Sequence, residues 1–251
     1  MKVKKVTVIL IAILFVLAVL GAVFFIFTLK KVDVNYALSE GYDNSEITQT
    51  LNEFNGKNLL FFDLEEVATS LKKFPDIKVL SVKKEYPGVL SVSIAERLPA
   101  FNLFSQGKTY TLDKEGFIIK INDGQIPDSR EIIDLKFDGL TLDSKSLGER
   151  LVCSDDLLFT SAIEMAKEVD LADSIKTLVV KKDSSGEMKD VEFYTYTGVK
   201  ITVIKADHMG VEKIKEAFNS YDSVTVDFIK SYSEIIVYLN DEGKIDVDWI
   251  S

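Results

Sequence analysis

The chain of 251 residues contains one cysteine, one histidine, one tryptophan and four prolines. A single cysteine, Cys153, permits no intrachain disulfide and no CxxC redox or zinc motif, and a lone small thiol of this kind reads as a core residue. Histidine is the commonest proton carrier in catalysis, and the only one here, His208, stands far in sequence from Cys153 at the start of an expected helix. It reads as an ordinary loop residue. No Gly-rich phosphate loop is present, since Ser184-Ser185-Gly186 is a plain turn. Carboxylates are abundant, but none forms a spaced pair that stands out from a solvated face, and metal-ligand spacing is lacking. The expectation is a protein that is not an enzyme and uses no cofactor. Scarce proline and 13 glycines, without low-complexity tracts, also argue against long disordered linkers.

Negative charge is missing from one end. Residues 1–31 hold five lysines (Lys2, Lys4, Lys5, Lys30, Lys31) and no acid. The remainder holds 25 basic against 40 acidic residues, a net of −15. Phosphate binding needs clustered Lys and Arg, so a nucleic-acid partner is excluded. An acidic surface serves solubility or meets a basic partner.

Charge and proline are both absent from residues 6–29. As a helix these 24 residues span about 36 Å, enough for a hydrocarbon core of about 30 Å. A cleaved signal would have an apolar stretch of about 7–15 residues followed by small residues. Here Phe24, Phe25, Ile26, Phe27 and Leu29 continue past Gly21-Ala22, as in an uncleaved anchor. Lysines at the start favour a cytoplasmic N-terminus, leaving residues 1–5 as a cytoplasmic stub and the bulk of the chain outside.

Residues 30–98 read as one unit. Val32-Asp33-Val34 is a strand candidate, and Asp43 with Glu46 opens a helix carrying Ile47, Leu51 and Phe54. After Asn55-Gly56 and the apolar run 59–62, Asp63 caps a second helix bearing Val67, Leu71 and Phe74, which Pro75 stops. Strands 77–86 and 89–96 follow, joined at Pro87-Gly88. The order is β-α-α-β-β.

Residues 99–240 read as a β-rich α+β domain. Strands are expected at 100–104, 108–112, 117–120, 132–137, 175–181, 191–196, 199–204, 224–229 and 234–239. One helix is expected after Ser154, with Leu158, Ala162, Met165 and Val169 on one face, and another after Asp207, with Val211, Ile214 and Phe218. Residues 241–251 read as a polar tail.

The run Gly56-Lys57-Asn58-Leu59-Leu60-Phe61-Phe62-Asp63, then Phe74-Pro75-Asp76-Ile77, Glu85-Tyr86-Pro87-Gly88 and Glu96-Arg97-Leu98-Pro99-Ala100, resembles the POTRA domain of FtsQ/DivIB cell-division proteins. Residues 109–118 resemble the hairpin that opens the family's second domain. The likeness extends over about residues 6–240, with only element order matching between 130 and 196. One departure is Tyr36-Ala37-Leu38-Ser39, where the family has a Gly-Asn turn. The resemblance implies an α+β protein: one transmembrane helix, a POTRA domain and a β-rich domain. It also implies a non-catalytic divisome scaffold at the septum, binding FtsB/DivIC-like and FtsL-like proteins and acting on the septal peptidoglycan synthase complex.

For the partner site, Glu234-Ile235-Ile236-Val237-Tyr238-Leu239 is apolar at nearly every position and close to the terminus, so it is expected to be an edge strand open to a partner strand. Phe228, Tyr232, Ile235, Ile236, Val237 and Tyr238 are the candidate contact residues. Proline at Ile236 or Val237 is then expected to remove an amide donor, bend the strand and abolish capture while leaving the POTRA domain folded, and loss of residues 240–251 to matter less. The rival readings are a membrane-tethered cell-wall enzyme, for which no acid–base pair is found, and an extracytoplasmic sensor domain, which would normally be followed by a second span or an output domain.

The topology has a direct check. Protease added to intact protoplasts should digest residues 32–251 and leave the anchor, whereas full protection would reverse the orientation.

Overall fold

A computed structural model describes residues 2–127, 129, 131–137, 141–144, 146–154, 159–160, 162–164, 175–182, 188–206 and 231–251. The chain divides into two units, Met1–Arg97 and Leu98–Ser251.

The first unit begins with α1 (Lys2–Ile26), whose segment Ile9–Ile26 has a mean hydropathy of 3.3 and buries none of its side chains in the protein. It is the one described helix long and apolar enough to cross a membrane. β1 (Lys31–Ala37), α2 (Ser45–Asn52), α3 (Leu64–Leu71), β2 (Ile77–Glu85) and β3 (Val89–Glu96) follow, in the expected β-α-α-β-β order. β3 lies in the middle of the sheet, parallel to β1 and antiparallel to β2. Its alternation places Leu90, Val92 and Ile94 on one face, where Ile47 and Leu51 of α2 and Val67 and Leu71 of α3 cover them. Asp63 caps α3 by accepting from the Glu65 N–H at 2.9 Å. The start of α2 differs from the expected capping box: Asn44 is the N-cap, and Asp43 accepts from the Ser45 N–H just ahead of the helix.

The helix passes into this domain without a linker. Leu29, read from composition as part of the membrane run, is 2% exposed and sits in the domain core. Its N–H donates to Lys57 O at 2.8 Å and its carbonyl accepts from Gly56 N at 2.9 Å. Lys30 N donates to Gly88 O at 2.9 Å. A Cβ on Gly88 would stand 3.1 Å from Thr28 O, so the close approach of this hairpin tip favours glycine.

The second unit is built on a nine-stranded sheet ordered β14-β13-β12-β11-β10-β7-β4-β5-β6. Its strands are β4 (Pro99–Ser105), β5 (Lys108–Asp113), β6 (Ile118–Asp123), β7 (Ile133–Phe137), β10 (Ile175–Lys182), β11 (Met188–Thr195), β12 (Lys200–Ile204), β13 (Glu234–Leu239) and β14 (Ile245–Ile250). β8 (Leu142–Ser144) and β9 (Val152–Cys153) form a separate pair. Consecutive hairpins give antiparallel neighbours, whereas β4–β7, β7–β10 and β12–β13 run parallel across longer connections. Asp113 closes the β5–β6 turn by accepting from Glu115 N and Phe117 N at 2.8 and 2.9 Å. Gly116, at φ +84°, leaves room for the buried Phe159 ring, 3.1 Å from where a Cβ would stand. Cys153 is buried, as expected. Of the helix expected after Ser154, residues 159, 160 and 162–164 are helical, and Phe159 and Ala162 are fully buried. Leu158, Met165 and Val169 lie outside the described residues, as do His208, the helix expected after Asp207 and the strand expected at 224–229.

Leu29→Ala in a fragment of residues 27–97 should cost about 2–5 kcal/mol, since it opens a cavity in a small core. Urea unfolding followed by circular dichroism measures this. A loss below about 0.5 kcal/mol, as at a typical surface site, would show that Leu29 belongs to the membrane segment alone.

Candidate functional site

β13 owes its position to two neighbours. Parallel pairing sets Ile201 beside Ile235 and Val203 beside Val237 on β12, and these four side chains join the core. On the other side β14 pairs antiparallel, from Glu234 beside Ile250 to Leu239 beside Ile245. The hairpin between them is organised by Asn240, whose Oδ1 accepts from Glu242 N and Lys244 N, both at 3.0 Å, while Gly243 takes φ +72°. Residues 241–251 are therefore not a mobile polar tail. The expected edge at 234–239 is an interior strand, and among the described strands the edge is β14. The cause is legible in the alternation of Ile245, Val247 and Trp249 with Asp246, Asp248 and Ile250 behind an Asn240-Asp241-Glu242-Gly243 turn, a pattern that marks a strand with one apolar face.

The six candidate contact residues do not form one patch. Ile235 and Val237 are 2% and 1% exposed, inside the core. Ile236 and Tyr238 are half-buried on the opposite face. Tyr232 packs edge-on against Trp249, ring centroids 5.3 Å apart. Phe228 lies outside the described residues.

The hydrogen-bond phase of the β13–β14 ladder decides which groups of β14 face outward. Asn240 N donates to Lys244 O at 2.9 Å, making 240 and 244 a hydrogen-bonded pair. With the register continuing through Tyr238–Asp246 and Ile236–Asp248, the backbone groups of Asp246 and Asp248 turn toward β13. Those of Ile245 and Val247 turn the other way, to an edge that no described strand pairs with. The same phase shows what proline would do in β13. Ile236 N–H serves β14 and Val237 N–H serves β12, so proline at either position breaks the sheet itself.

Beside this edge, the face of the sheet opposite the core carries a charge ladder. Glu192 is 5% exposed, and Lys181 Nζ donates to its carboxylate at 2.6 Å and Tyr194 Oη at 2.9 Å. Lys200 lies 3.9 Å from Glu192 and 2.8 Å from Glu234, which also accepts from Thr202 Oγ1 at 2.7 Å. Burial pushes the Glu192 carboxyl up, but the hydrogen bonds from Lys181 and Tyr194 and the charges of Lys181 and Lys200 outweigh it and hold it below its ordinary value. Bonds from Lys200 and Thr202 lower Glu234 likewise. At the β14 end, the charge of Asp248, then burial and the charge of Asp246, raise the Tyr238 phenol. A groove of about 560 Å³ on this face is lined by Gln125, Asp134, Lys136, Thr177 and Tyr194 among others; it is open and mostly polar, unlike the enclosed apolar sites of small ligands. Among the described residues, no three of His, Cys, Asp and Glu are placed to hold a metal ion.

Comparison with known proteins agrees with the first unit. Residues 27–97 match the family described as POTRA domain, FtsQ-type, and the match begins just after α1 and includes Leu29. Over 190 residues the chain is 22% identical to the cell division protein DivIB of Clostridium acetobutylicum, covering 72% of this chain and 68% of that protein. It is 37% identical over 65 residues to the cell division protein FtsQ of Anaeromyxobacter sp. (strain K), covering 26% of this chain and 22% of that one. Among solved structures, the major extracytoplasmic domain of the trans isomer of the bacterial cell division protein DivIB from Geobacillus stearothermophilus overlaps at a TM-score of 0.33 and 10% identity. That overlap covers 50% of this chain and 88% of the other and is too loose to bear on the fold.

The charge ladder predicts acid sensitivity. A carboxylate lowered in the folded state contributes stability above its ordinary range and loses it as pH falls through the folded value. Stability of the second unit should thus hold from neutral pH down to the ordinary carboxylate range and fall below it. Glu192→Gln, which leaves Lys181 and Lys200 without their shared anion, should cost about 1–3 kcal/mol at neutral pH and flatten that acid limb. Urea titrations across pH would read both, and an unchanged profile in Glu192→Gln would remove Glu192 as the cause.

Proposed function

We propose that this chain, whose residues 27–97 match the FtsQ-type POTRA domain and which is similar to the DivIB and FtsQ cell division proteins, is a non-catalytic scaffold of the division machinery, anchored in the membrane by α1. It gathers at the division septum, binds coiled-coil partners of the FtsB/DivIC and FtsL kind, and through them helps position or regulate septal peptidoglycan synthesis. The partner site is β14.

One observation carries that placement. β14 ends the nine-stranded order, and the N–H and C=O groups of Ile245 and Val247 point away from β13. An edge of this kind accepts a strand from another chain through main-chain bonds, and side-chain pairs set the register. Ile245, Val247 and Trp249 pack half-buried against the core on one face of β14, while Asp246 and Asp248 are exposed on the other. The complementary strand is therefore amphipathic: apolar where it continues the core, basic where it lies beside Asp246 and Asp248. The net charge of −15 beyond residue 31 favours a basic approach as well. Of the earlier candidates, Tyr232 contributes by packing on Trp249, and Ile236 and Tyr238 border the site from β13.

Val247→Pro removes an outward donor and leaves the β13 ladder whole, a position at which edge strands tolerate proline. The variant should stay folded by circular dichroism yet capture a DivIC-like partner about tenfold less or worse. Asp248→Pro, whose N–H serves β13, should instead unfold the second unit. Normal capture by folded Val247→Pro would exclude this edge, and a fluorescent fusion spread evenly over the membrane would exclude the division scaffold.

A further inference from the structure

Four large apolar side chains between residues 30 and 97 are exposed: Leu60, Phe61 (78%), Leu80 and Tyr86. Three of these gather where α1 ends. Leu60 and Phe61 stand in the turn that follows Asn58, and the Asn58 side chain is engaged twice. Its Nδ2 donates to Phe24 O of the helix at 2.7 Å, and its Oδ1 accepts from Leu60 N at 2.9 Å. Leu59 N donates to Phe27 O at 2.8 Å, and Phe61 N to Asn58 O at 3.2 Å. Tyr86, at the tip of the β2–β3 hairpin, packs edge-on against Phe27 with ring centroids 5.4 Å apart. These bonds set the height of the rim relative to the helix. If the hydrocarbon core begins at Val6, about 20 residues at about 1.5 Å each cross about 30 Å and reach Phe25. Asn58, holding the carbonyl of Phe24, then lies at the far acyl boundary, and Phe61 and Tyr86 lie in the headgroup layer with it.

We infer that Leu60, Phe61 and Tyr86 are seated in the membrane interface, giving the POTRA domain a second hold on the bilayer beside α1. The inference rests on α1 being a membrane span. Lipid is the occupant because the rim is continuous with the span: a phenyl ring tied at this level meets acyl chains and headgroups, about 5–10 Å into which apolar side chains of interfacial segments insert. Tyr86 has the amphipathic form that suits that layer, with an apolar ring and a polar tip. Lys30 follows the helix end directly, where its ammonium group meets lipid phosphates, whereas the Lys31 ammonium pairs with Asp33 at 2.7 Å.

The test uses the full chain in vesicles of phosphatidylethanolamine and phosphatidylglycerol containing lipid brominated near the headgroup end of its acyl chains. Single-tryptophan proteins are made in a Trp249→Phe background, with Phe61→Trp as reporter, Leu80→Trp as an exposed control and Phe15→Trp as a reporter of the span. Phe61→Trp should emit at shorter wavelength than Leu80→Trp and be quenched several-fold by the brominated lipid, with Leu80→Trp unchanged. Phe61→Trp behaving like Leu80→Trp, while deeper-brominated lipid quenches Phe15→Trp, overturns the interfacial contact and leaves the span standing. Loss of quenching in Phe15→Trp as well overturns both. Equal quenching of Leu80→Trp also overturns the proposal, since the contact would not be confined to the rim.

Discussion

Backbone that emerges from a hydrocarbon layer must find hydrogen-bond partners at once, because no water is available on the apolar side to supply them. Here the five residues after α1 meet that demand inside the adjoining domain. Phe27 accepts from Leu59, Leu29 exchanges bonds with Gly56 and Lys57, and Lys30 and Lys31 both donate to Gly88. The buried Leu29 side chain adds a hydrophobic hold to the polar one. The POTRA core is thus completed by the residues that end α1, and β1 starts already in register with β3. Gly88 and Asn58 support this exit, one by lacking a Cβ at a tight approach and the other by satisfying a helix carbonyl with a side-chain amide.

In the second unit, the order of strands governs what is reachable. β12 and β13 run parallel, which demands a long connection between them, and β13 then turns tightly into β14. The most apolar segment near the terminus is thereby enclosed on both edges, and among the described strands one of alternating Asp and apolar residues is left outside. Charged residues on an edge strand discourage pairing between identical copies, while a basic, amphipathic strand meets complementary chemistry.

The outer face of the sheet shows how a buried carboxylate is held by paired donors. Glu192 is surrounded by Lys181, Tyr194 and Lys200, and Lys200 is shared with Glu234. Three adjacent strands, β10, β11 and β12, are joined by these contacts to β13, so the ladder reinforces the register that sets the direction of the β14 edge. Both carboxylates are held below their ordinary range by their donors, so the network stays charged at neutral pH.

The amino-acid sequence by itself determined the elements whose pattern is local. The uncharged run of α1, the Asp63 cap, the alternation of Leu90, Val92 and Ile94, and the Thr197-Gly198 hairpin are set by spacing and by turn chemistry within a few residues. The family's Asn58 and Pro87-Gly88 signatures were likewise visible, although their task at the helix exit was not. Tertiary structure decided what depends on pairing between distant segments. Leu29 has the composition of a membrane residue, and only its bonds to residues 56 and 57 place it in the core of the adjoining domain. Ile235 and Val237 have the composition of an exposed sticky edge as much as of an interior strand. Which of the two they are depends on whether another strand lies beyond them, and period-2 alternation names the faces of a strand but not its neighbours.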